Sequence, residues 1–254
     1  MADAAAMDRV VDIVTAAVER DRTILVCSAV SRCTDTLIEI GHRAARRDDS
    51  YRALIDGLER RHGAIVEALL SAERQAEAFQ QTQSLFASLR SIAQGVCLVG
   101  ELSPASLDAI ESFGELLSTR ILAIRFAETG LPVKWLDARE LIRTERVGGR
   151  SVVVPDETAG RIVAAIERYP MTSLFIVPGF IASDREGRTT TLGRGGSDYT
   201  AALLAVGVKA RWAEADELRR AGPETNSFLI GDCLYVGTNV AAATSGALSA
   251  VAYL

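Results

Sequence analysis

Residues 177–205 read VPGFIASDREGRTTTLGRGGSDYTAALLA, and this segment decides the fold. An apolar run at 174–177 predicts a buried strand that ends where this segment begins. Two short strands, 180–183 and 189–192, flank a turn closed by glycine and predict a β-hairpin. The second of them enters a glycine loop, and an Ala- and Leu-rich helix follows from Ser197. This order of strand, glycine loop and helix is typical of α/β proteins.

The rest of the chain alternates in the same way. The run TILVCS at 23–28 is apolar with little alternation, as in a strand of a parallel sheet that is buried on both faces. Thr34 and Asp35 then open a helix, which completes the start of a βαβ unit. Further helices are predicted at 7–22, 51–94 and 104–127, with Ser103 and Asp156 as helix caps, and further strands at 133–136 and 151–154.

The amino-acid composition and net charge of the chain exclude several classes of function. The chain has 254 residues, 48% of them hydrophobic, and a net charge of −5, which suits one large globular domain and gives no electrostatic footprint for nucleic acid. Four cysteines without a CxxC pair and only two histidines argue against a zinc site and for a reducing, cytoplasmic location. Residues 1–7 lack the features of a signal peptide, and we expect no membrane anchor.

The glycine loop carries the strongest chemical signal. Gly195 and Gly196 let the backbone approach a ligand, and the first amides of the following helix would face an anion. Arg194 offers a planar fork for a carboxylate or phosphate. Asp198 could accept from an ammonium group or help to hold a metal-bound phosphate. The alternative is a plain turn with Ser197 as the helix N-cap.

Two further segments carry polar side chains in suggestive places. Ser28 and Thr34 follow the first strand, and ligands of open α/β sheets bind beyond the carboxyl ends of the strands. Thr34 could instead simply cap the next helix. Glu115 lies among apolar residues within a predicted helix, where a carboxylate needs a partner such as a substrate ammonium group. An ordinary salt bridge or exposure to solvent is the alternative.

Four segments together resemble the aspartokinase family of the amino-acid kinase group. Besides residues 177–205, they are LVCSAVSRCTDTLIEIG at 25–41, GELSPASLDAIESFGELLSTRILA at 100–123 and LPVKWLDARELIRT at 131–144. The resemblance covers roughly residues 2–206. It implies a three-layer α/β/α sandwich with a mainly parallel sheet and a helical insertion. The expected domains are an incomplete kinase domain at 1–206, with the insertion at about 48–94, and an unrecognised tail at 207–254.

The resemblance also implies a reaction. ATP and L-aspartate would give 4-phospho-L-aspartate and ADP with Mg²⁺, the first step of lysine, threonine and methionine biosynthesis. No side chain of the protein is expected to bind a resident metal. Related kinases commonly form homodimers. The implied site consists of Arg194 on a substrate carboxylate, Glu115 and Asp198 on its ammonium group, hydrogen bonds from Ser28, Thr34 and Ser197, and the Gly195-Gly196 backbone near the reacting groups, with Asp198 and Arg194 as the catalytic pair.

Three departures from the family pattern leave alternatives open. We expect the family's N-terminal Lys-Phe-Gly-Gly-Thr-Ser segment, whose lysine holds the ATP phosphates, to be missing. The segment after Val208 does not match the family's nucleotide-binding part, and residues 209–254 could fold back as a substitute strand and helix. Arg32 stands where the family usually has glycine. The alternative function is therefore a catalytically impaired scaffold for aspartate binding or oligomerisation. A sister kinase acting on glutamate is disfavoured by the 193–198 loop.

Overall fold

The computed structural model describes residues 3–20 and 22–208, together with the backbone of 229–230 and 233–236. The helices are α1 (Ala4–Val18), α2 (Cys33–Ala45), α3 (Tyr51–Leu69), α4 (Ala72–Val99), α5 (Pro104–Glu111), α6 (Phe113–Ala127), α7 (Ala138–Leu141), α8 (Pro155–Glu167) and α9 (Gly196–Gly207). The strands are β1 (Thr23–Cys27), β2 (Val133–Trp135), β3 (Thr144–Val147), β4 (Arg150–Val153), β5 (Leu174–Pro178), β6 (Ile181–Ser183), β7 (Thr189–Thr191), β8 (Leu229–Ile230) and β9 (Cys233–Val236).

The central sheet has the strand order β2-β5-β1-β9-β8. Strands β2, β5 and β1 run parallel, and Val26 of β1 lies opposite Val177 of β5. Strand β9 pairs antiparallel with β1 and forms a hairpin with β8. Both strands lie within residues 209–254, the tail that the sequence analysis suggested could fold back as a substitute strand and helix. The helix of that alternative lies outside the described residues.

Helices cover both faces of this sheet. Every residue of β1 and β5 is buried, which is why both strands are continuously apolar. Helices α1 and α6 pack on one face, whereas α9 packs on the other with α8 behind it. The α8–α9 contact is close, since a Cβ added at Gly207 would lie 2.9 Å from the side chain of Ile162. The predicted three-layer α/β/α architecture with a mainly parallel sheet is confirmed.

The helical insertion packs on other helices. Helices α3 and α4 lie against each other and against α2 and α6. His62 of α3 is fully buried, its ring meets Phe86 of α4 edge to face at 5.8 Å, and its Nδ1 lies 2.8 Å from the carbonyl oxygen of Leu58. No helix in the described residues, α4 included, is both long enough and apolar enough to cross a membrane.

Several predicted boundaries differ from the structure. The helix expected at 104–127 is broken at Ser112 into α5 and α6, although Ser103 does cap the first piece by accepting from the backbone N–H of Ser106. Asp156 was the wrong cap for α8, because Val154 is the N-cap and Pro155 occupies the first turn. Helix α7 and strand β3, each four residues long, were not predicted.

Burial of His62 makes the stability of the fold depend on pH. Desolvation lowers the pKa of this imidazole, and its Nε2 is buried without a hydrogen-bond partner in the described residues. Unfolding restores the ordinary histidine pKa of about 6.5. The unfolded chain then binds a proton that the folded chain resists, so the free energy of unfolding should fall as the pH drops below about 6.5, by at most ~1.4 kcal/mol per pH unit.

Urea denaturation of wild type and His62→Phe between pH ~5 and ~8 measures this effect. We expect the pH slope to shrink in His62→Phe and to persist in the control His42→Gln, because His42 is exposed on α2. Equal slopes in wild type and His62→Phe would show that this imidazole does not carry the dependence.

Candidate active site

A cleft of about 360 Å³ lies where the carboxyl ends of β1 and β5 meet the first turn of α9. It brings together residues from all three segments that the sequence singled out. The predicted site residues that line it are Ser28, Thr34, Glu115, Gly195, Gly196, Ser197 and Asp198. Arg194 is the exception, because it is exposed on the same loop and is not among the residues that line the cleft.

Two serines join the walls of the cleft. Ser28 follows β1 and donates from its Oγ to the Oγ of Ser197 at 2.8 Å. This bond requires the first turn of α9 to lie against the end of β5. A Cβ added at Gly179 would stand 2.5 Å from the Oγ and 2.8 Å from the Cα of Ser197. A side chain at position 179 would therefore displace α9.

The glycine loop sets the start of α9. Gly195 is the N-cap with φ 72°, a left-handed conformation that suits glycine, so the alternative in which Ser197 is the N-cap is wrong. Gly196 is buried against Phe180, since an added Cβ would lie 2.7 Å from its ring. Phe180 itself has φ 67°, and its backbone N–H donates to the Oγ1 of Thr200 at 3.1 Å. The strained backbone at Phe180 is thus held by α9.

Glu115 lies in the first turn of α6 and is 3% exposed, so the alternative of a solvent-exposed glutamate is wrong. Its Oε1 accepts from the backbone N–H of Ala29 at 3.2 Å. One turn further along α6, Ser118 donates to the backbone oxygen of Ser28 at 2.8 Å. Both bonds fix the segment after β1, and they hold a buried carboxylate at the wall of the cleft.

The negative charge of Glu115 affects its surroundings. Cys33 lies beside it, and burial, followed by the charge of Glu115, raises the pKa of the Cys33 thiol to about 12. The positive charge of Arg61 opposes this shift, and its Nη1 donates to the backbone oxygen of Ser31 at 2.6 Å. The Cys33 thiol therefore stays protonated near neutral pH and is no nucleophile.

Arg32 precedes α2 in an unusual conformation. Its φ of 60° and ψ of 6° are left-handed, and its side chain makes no capping hydrogen bond. Thr34 lies inside the first turn of α2, so the alternative in which it caps the helix is wrong. Both residues line the cleft, and Arg32 is exposed, so a guanidinium shares the cleft with the carboxylates of Asp198 and Glu115.

Sequence reasoning missed several parts of the site. Gly179 appeared only as a strand breaker, and Phe180 only as the start of a strand. The hairpin of β6 and β7 is also anchored from outside, because Thr191 donates to Asp108 of α5 at 2.7 Å. The Pro-Gly pair after a buried strand was the one available signal, since it marks a place where another backbone approaches closely.

A resident metal finds no ready site here. No group of three or more histidine, cysteine, aspartate or glutamate side chains in the described part of the chain could hold a metal ion. Asp198 and Glu115 are the carboxylates that line the cleft.

Known proteins share this architecture. The model of the amino acid kinase family matches residues 1–217. The bifunctional aspartokinase/homoserine dehydrogenase 1 of Zea mays is 32% identical over 209 residues, which are 80% of this chain and 22% of that protein. The lysine-sensitive aspartokinase 3 of Escherichia coli is 35% identical over 212 residues, 83% of this chain and 45% of that protein.

Solved structures agree. A crystal structure of E. coli aspartokinase III with aspartate and ADP superposes with a TM-score of 0.72 at 32% identity, over 82% of this chain and 44% of that one. A second structure, with lysine and aspartate, gives the same TM-score at 31% identity. The chain spans less than half the length of each of these relatives.

The conformation of Arg32 can be tested by substitution. Arg32→Gly should raise the free energy of unfolding by about 1 kcal/mol, because glycine adopts a left-handed conformation without the clash of a Cβ. Arg32→Ala keeps the Cβ and should leave stability nearly unchanged. Urea denaturation measures both variants, and equal stabilities of Arg32→Gly and Arg32→Ala would mean that no strain is stored there.

The close approach at Gly179 generates a second test. Gly179→Ala should lower the free energy of unfolding by roughly 1–3 kcal/mol, since the new methyl group overlaps the backbone of Ser197. The matched control is Gly160→Ala on α8, where an added Cβ meets nothing within 4 Å and helix propensity favours alanine by roughly 0.5–1 kcal/mol. If both substitutions had the same effect on the thermal midpoint, the packing described here would be incorrect.

Proposed function

The chain belongs to the amino acid kinase family, and on that premise we propose that it transfers the γ-phosphoryl group of ATP to the side-chain carboxylate of L-aspartate. The products would be 4-phospho-L-aspartate and ADP. The observation that carries this proposal is the composition of the cleft. The cleft contains the buried carboxylate of Glu115, the exposed carboxylate of Asp198 and the N-terminus of the 12-residue helix α9.

This arrangement suits an amino acid that also has an acidic side chain. Such a substrate carries one ammonium group and two carboxylates. The Glu115 side chain is held in place, and its negative charge favours a cation. We therefore assign Glu115 to the ammonium group of the substrate, with Asp198 as a second partner of that group. The first backbone N–H groups of α9 attract anions, which supports placing a carboxylate or the transferring phosphoryl group there.

The remaining roles follow from reach and hydrogen-bonding capacity. Thr34 and Ser197 line the cleft, and their hydroxyl groups can donate to a carboxylate. Ser28 donates to Ser197, so it would give up that bond to donate to a substrate. We propose that Arg194 clamps a substrate carboxylate after a movement of the glycine loop, because its exposed side chain begins outside the cleft. Arg32 lines the cleft already and adds a second positive charge against the repulsion between two anionic substrates.

The chemistry itself needs little from the protein beyond positioning. A carboxylate is already ionised at neutral pH, so its oxygen can attack the γ-phosphorus without a general base. The new O–P bond forms as the bond between that phosphorus and the β–γ bridging oxygen breaks, and ADP leaves. Alignment and neutralisation of charge then dominate catalysis. We accordingly assign Asp198 to orientation of the substrate and Arg194 to charge neutralisation.

Release of ADP tests the proposal. Purified full chain with Mg-ATP should release ADP only when L-aspartate is present, and glutamate should give a much weaker response. Arg194→Ala should lower kcat/KM for aspartate by roughly thirtyfold or more, the cost of losing a charged partner. The matched control is Arg185→Ala, which changes an exposed arginine that lies in the turn between β6 and β7 and pairs with Glu157.

Three other outcomes would each have a distinct meaning. Aspartate binding by calorimetry without ADP release, in a sample shown to be folded, would replace the kinase by an aspartate-binding scaffold. A stronger response to glutamate would move the proposal to a sister kinase. Equal losses in Arg194→Ala and Arg185→Ala would remove Arg194 from the site. The homodimer implied by the resemblance and the cytoplasmic location indicated by the cysteine pattern stay predictions.

A further inference from the structure

A second and larger cleft, of about 660 Å³, lies between α7, α8 and the hairpin of β6 and β7. We call it the arginine cleft because Arg139, Arg143, Arg161 and Arg168 line it. Its only acidic lining residues among those described are Asp137 and Glu140. Asp137 is already bound to Arg139, whose Nη2 lies 2.6 Å from its Oδ2. The remaining three arginines therefore outnumber the remaining carboxylate.

Arg143 is the unusual member of this set. It is only 8% exposed, yet its side chain makes no ion pair within the described residues. Its Nη1 donates to the Oγ of Ser183 at 3.0 Å and to the backbone oxygen of Asp184, both uncharged acceptors. The Asp184 carboxylate is bound to Arg188 instead. A buried guanidinium without a negative partner is costly, and an external anion would relieve that cost.

The backbone holds Arg143 in a fixed place. Its N–H donates to the Oγ1 of Thr158 at 3.1 Å, and its carbonyl oxygen accepts from Val154 at 2.8 Å. A β-bridge also joins it to Ser183. Because Nη1 makes both hydrogen bonds of this side chain within the described residues, the other N–H groups of the guanidinium are available to a ligand in the cleft.

The face of α8 completes the cleft. Arg161 and Arg168 are seven residues apart, so they lie two turns apart on one side of the helix, roughly 10 Å from each other. Ala164 and Ala165 lie between them and leave open space above the helix. Neither arginine has an ion pair within the described ranges. The rim therefore presents two exposed cations around a floor of small side chains.

We propose that the arginine cleft binds a small multivalent anion that carries phosphate or carboxylate groups, with Arg143 at its floor and Arg161 and Arg168 at its rim. The volume suits a ligand of ordinary metabolite size. The site is distinct from the cleft between β1 and α9 and does not depend on the function proposed for it. It does share the hairpin, because Arg143 holds Ser183 and Arg139 contacts the Oγ1 of Thr189 at 3.4 Å. A bound anion would therefore stiffen the hairpin that leads into the glycine loop.

Calorimetric titration of the full chain tests the site without ATP or aspartate. The probes are inorganic pyrophosphate and, separately, citrate, both at ionic strength held constant with sodium chloride. We expect saturable binding of at least one probe, and which of them binds decides between phosphate and carboxylate chemistry. Arg161→Ala combined with Arg168→Ala should weaken that binding at least about tenfold, as expected for loss of charge-assisted hydrogen bonds.

Two further variants separate a specific site from general attraction. Arg52→Ala combined with Arg60→Ala removes the same charge from exposed positions of α3 and should leave binding unchanged. Ala164→Trp keeps all the arginines but fills the floor of the arginine cleft, so it should also weaken binding. Hydrogen exchange of residues 180–192 should slow when the probe is added to wild type, and not when it is added to the α8 double variant.

The proposal is overturned if neither probe binds saturably. It is equally overturned if the α8 double variant binds the probe as tightly as wild type, because the probe would then occupy the other cleft. It is also overturned if the α3 double variant loses as much affinity as the α8 double variant, because binding would then depend only on net charge. None of these results bears on ADP release, so the two proposals fail independently.

Discussion

The cleft depends on the close approach of the first turn of α9 to the end of β5. Gly179 has no side chain at the point where Ser197 lies, and Gly196 has none where Phe180 packs. These two contacts allow the Ser28–Ser197 hydrogen bond across the cleft. Glycine is therefore needed here for close packing at two positions and for a left-handed backbone at Gly195.

A second constraint is the buried polar contact between α6 and the segment after β1. Glu115 accepts from Ala29, Ser118 donates to Ser28, and Gly114 approaches Ala29 so closely that an added Cβ would lie 2.7 Å from its methyl group. Burying a carboxylate is unfavourable unless it is hydrogen-bonded, and the bond from Ala29 meets part of that cost. The same charge, with burial, keeps Cys33 protonated.

The hairpin of β6 and β7 lies between two clefts of different character. One contains the carboxylates of Glu115 and Asp198, and the other is lined by four arginines. Thr191 ties the hairpin to α5, while Ser183 receives a bond from Arg143. Because the hairpin continues directly into the glycine loop, anything that fixes it also fixes the residues at the start of α9. These bonds and the burial of all three residues of β6 attach the hairpin firmly to the body of the protein.

The sequence by itself determined the fold class, and seven of the eight candidate site residues that it predicted line one cleft in the structure. Continuous apolar runs predicted β1 and β5, because strands buried on both faces leave no polar period, and the glycine loop marked the start of α9. Local signals failed at several boundaries. The break at Ser112 and the short elements α7 and β3 were not predicted. The cap of α8 was misplaced by two residues, although Pro155 in its first turn is itself a local signal.

Only the tertiary structure decided how the residues are used. It buried Glu115 against Ala29, 86 positions away in sequence, and left Arg194 outside the cleft. It also placed Arg143, Arg161 and Arg168 around one cavity, although their spacing in the sequence does not predict a site. The physical reason is that burial and charge compensation are properties of the folded surroundings. A single residue's neighbours in sequence do not reveal which charges the fold will leave without a partner.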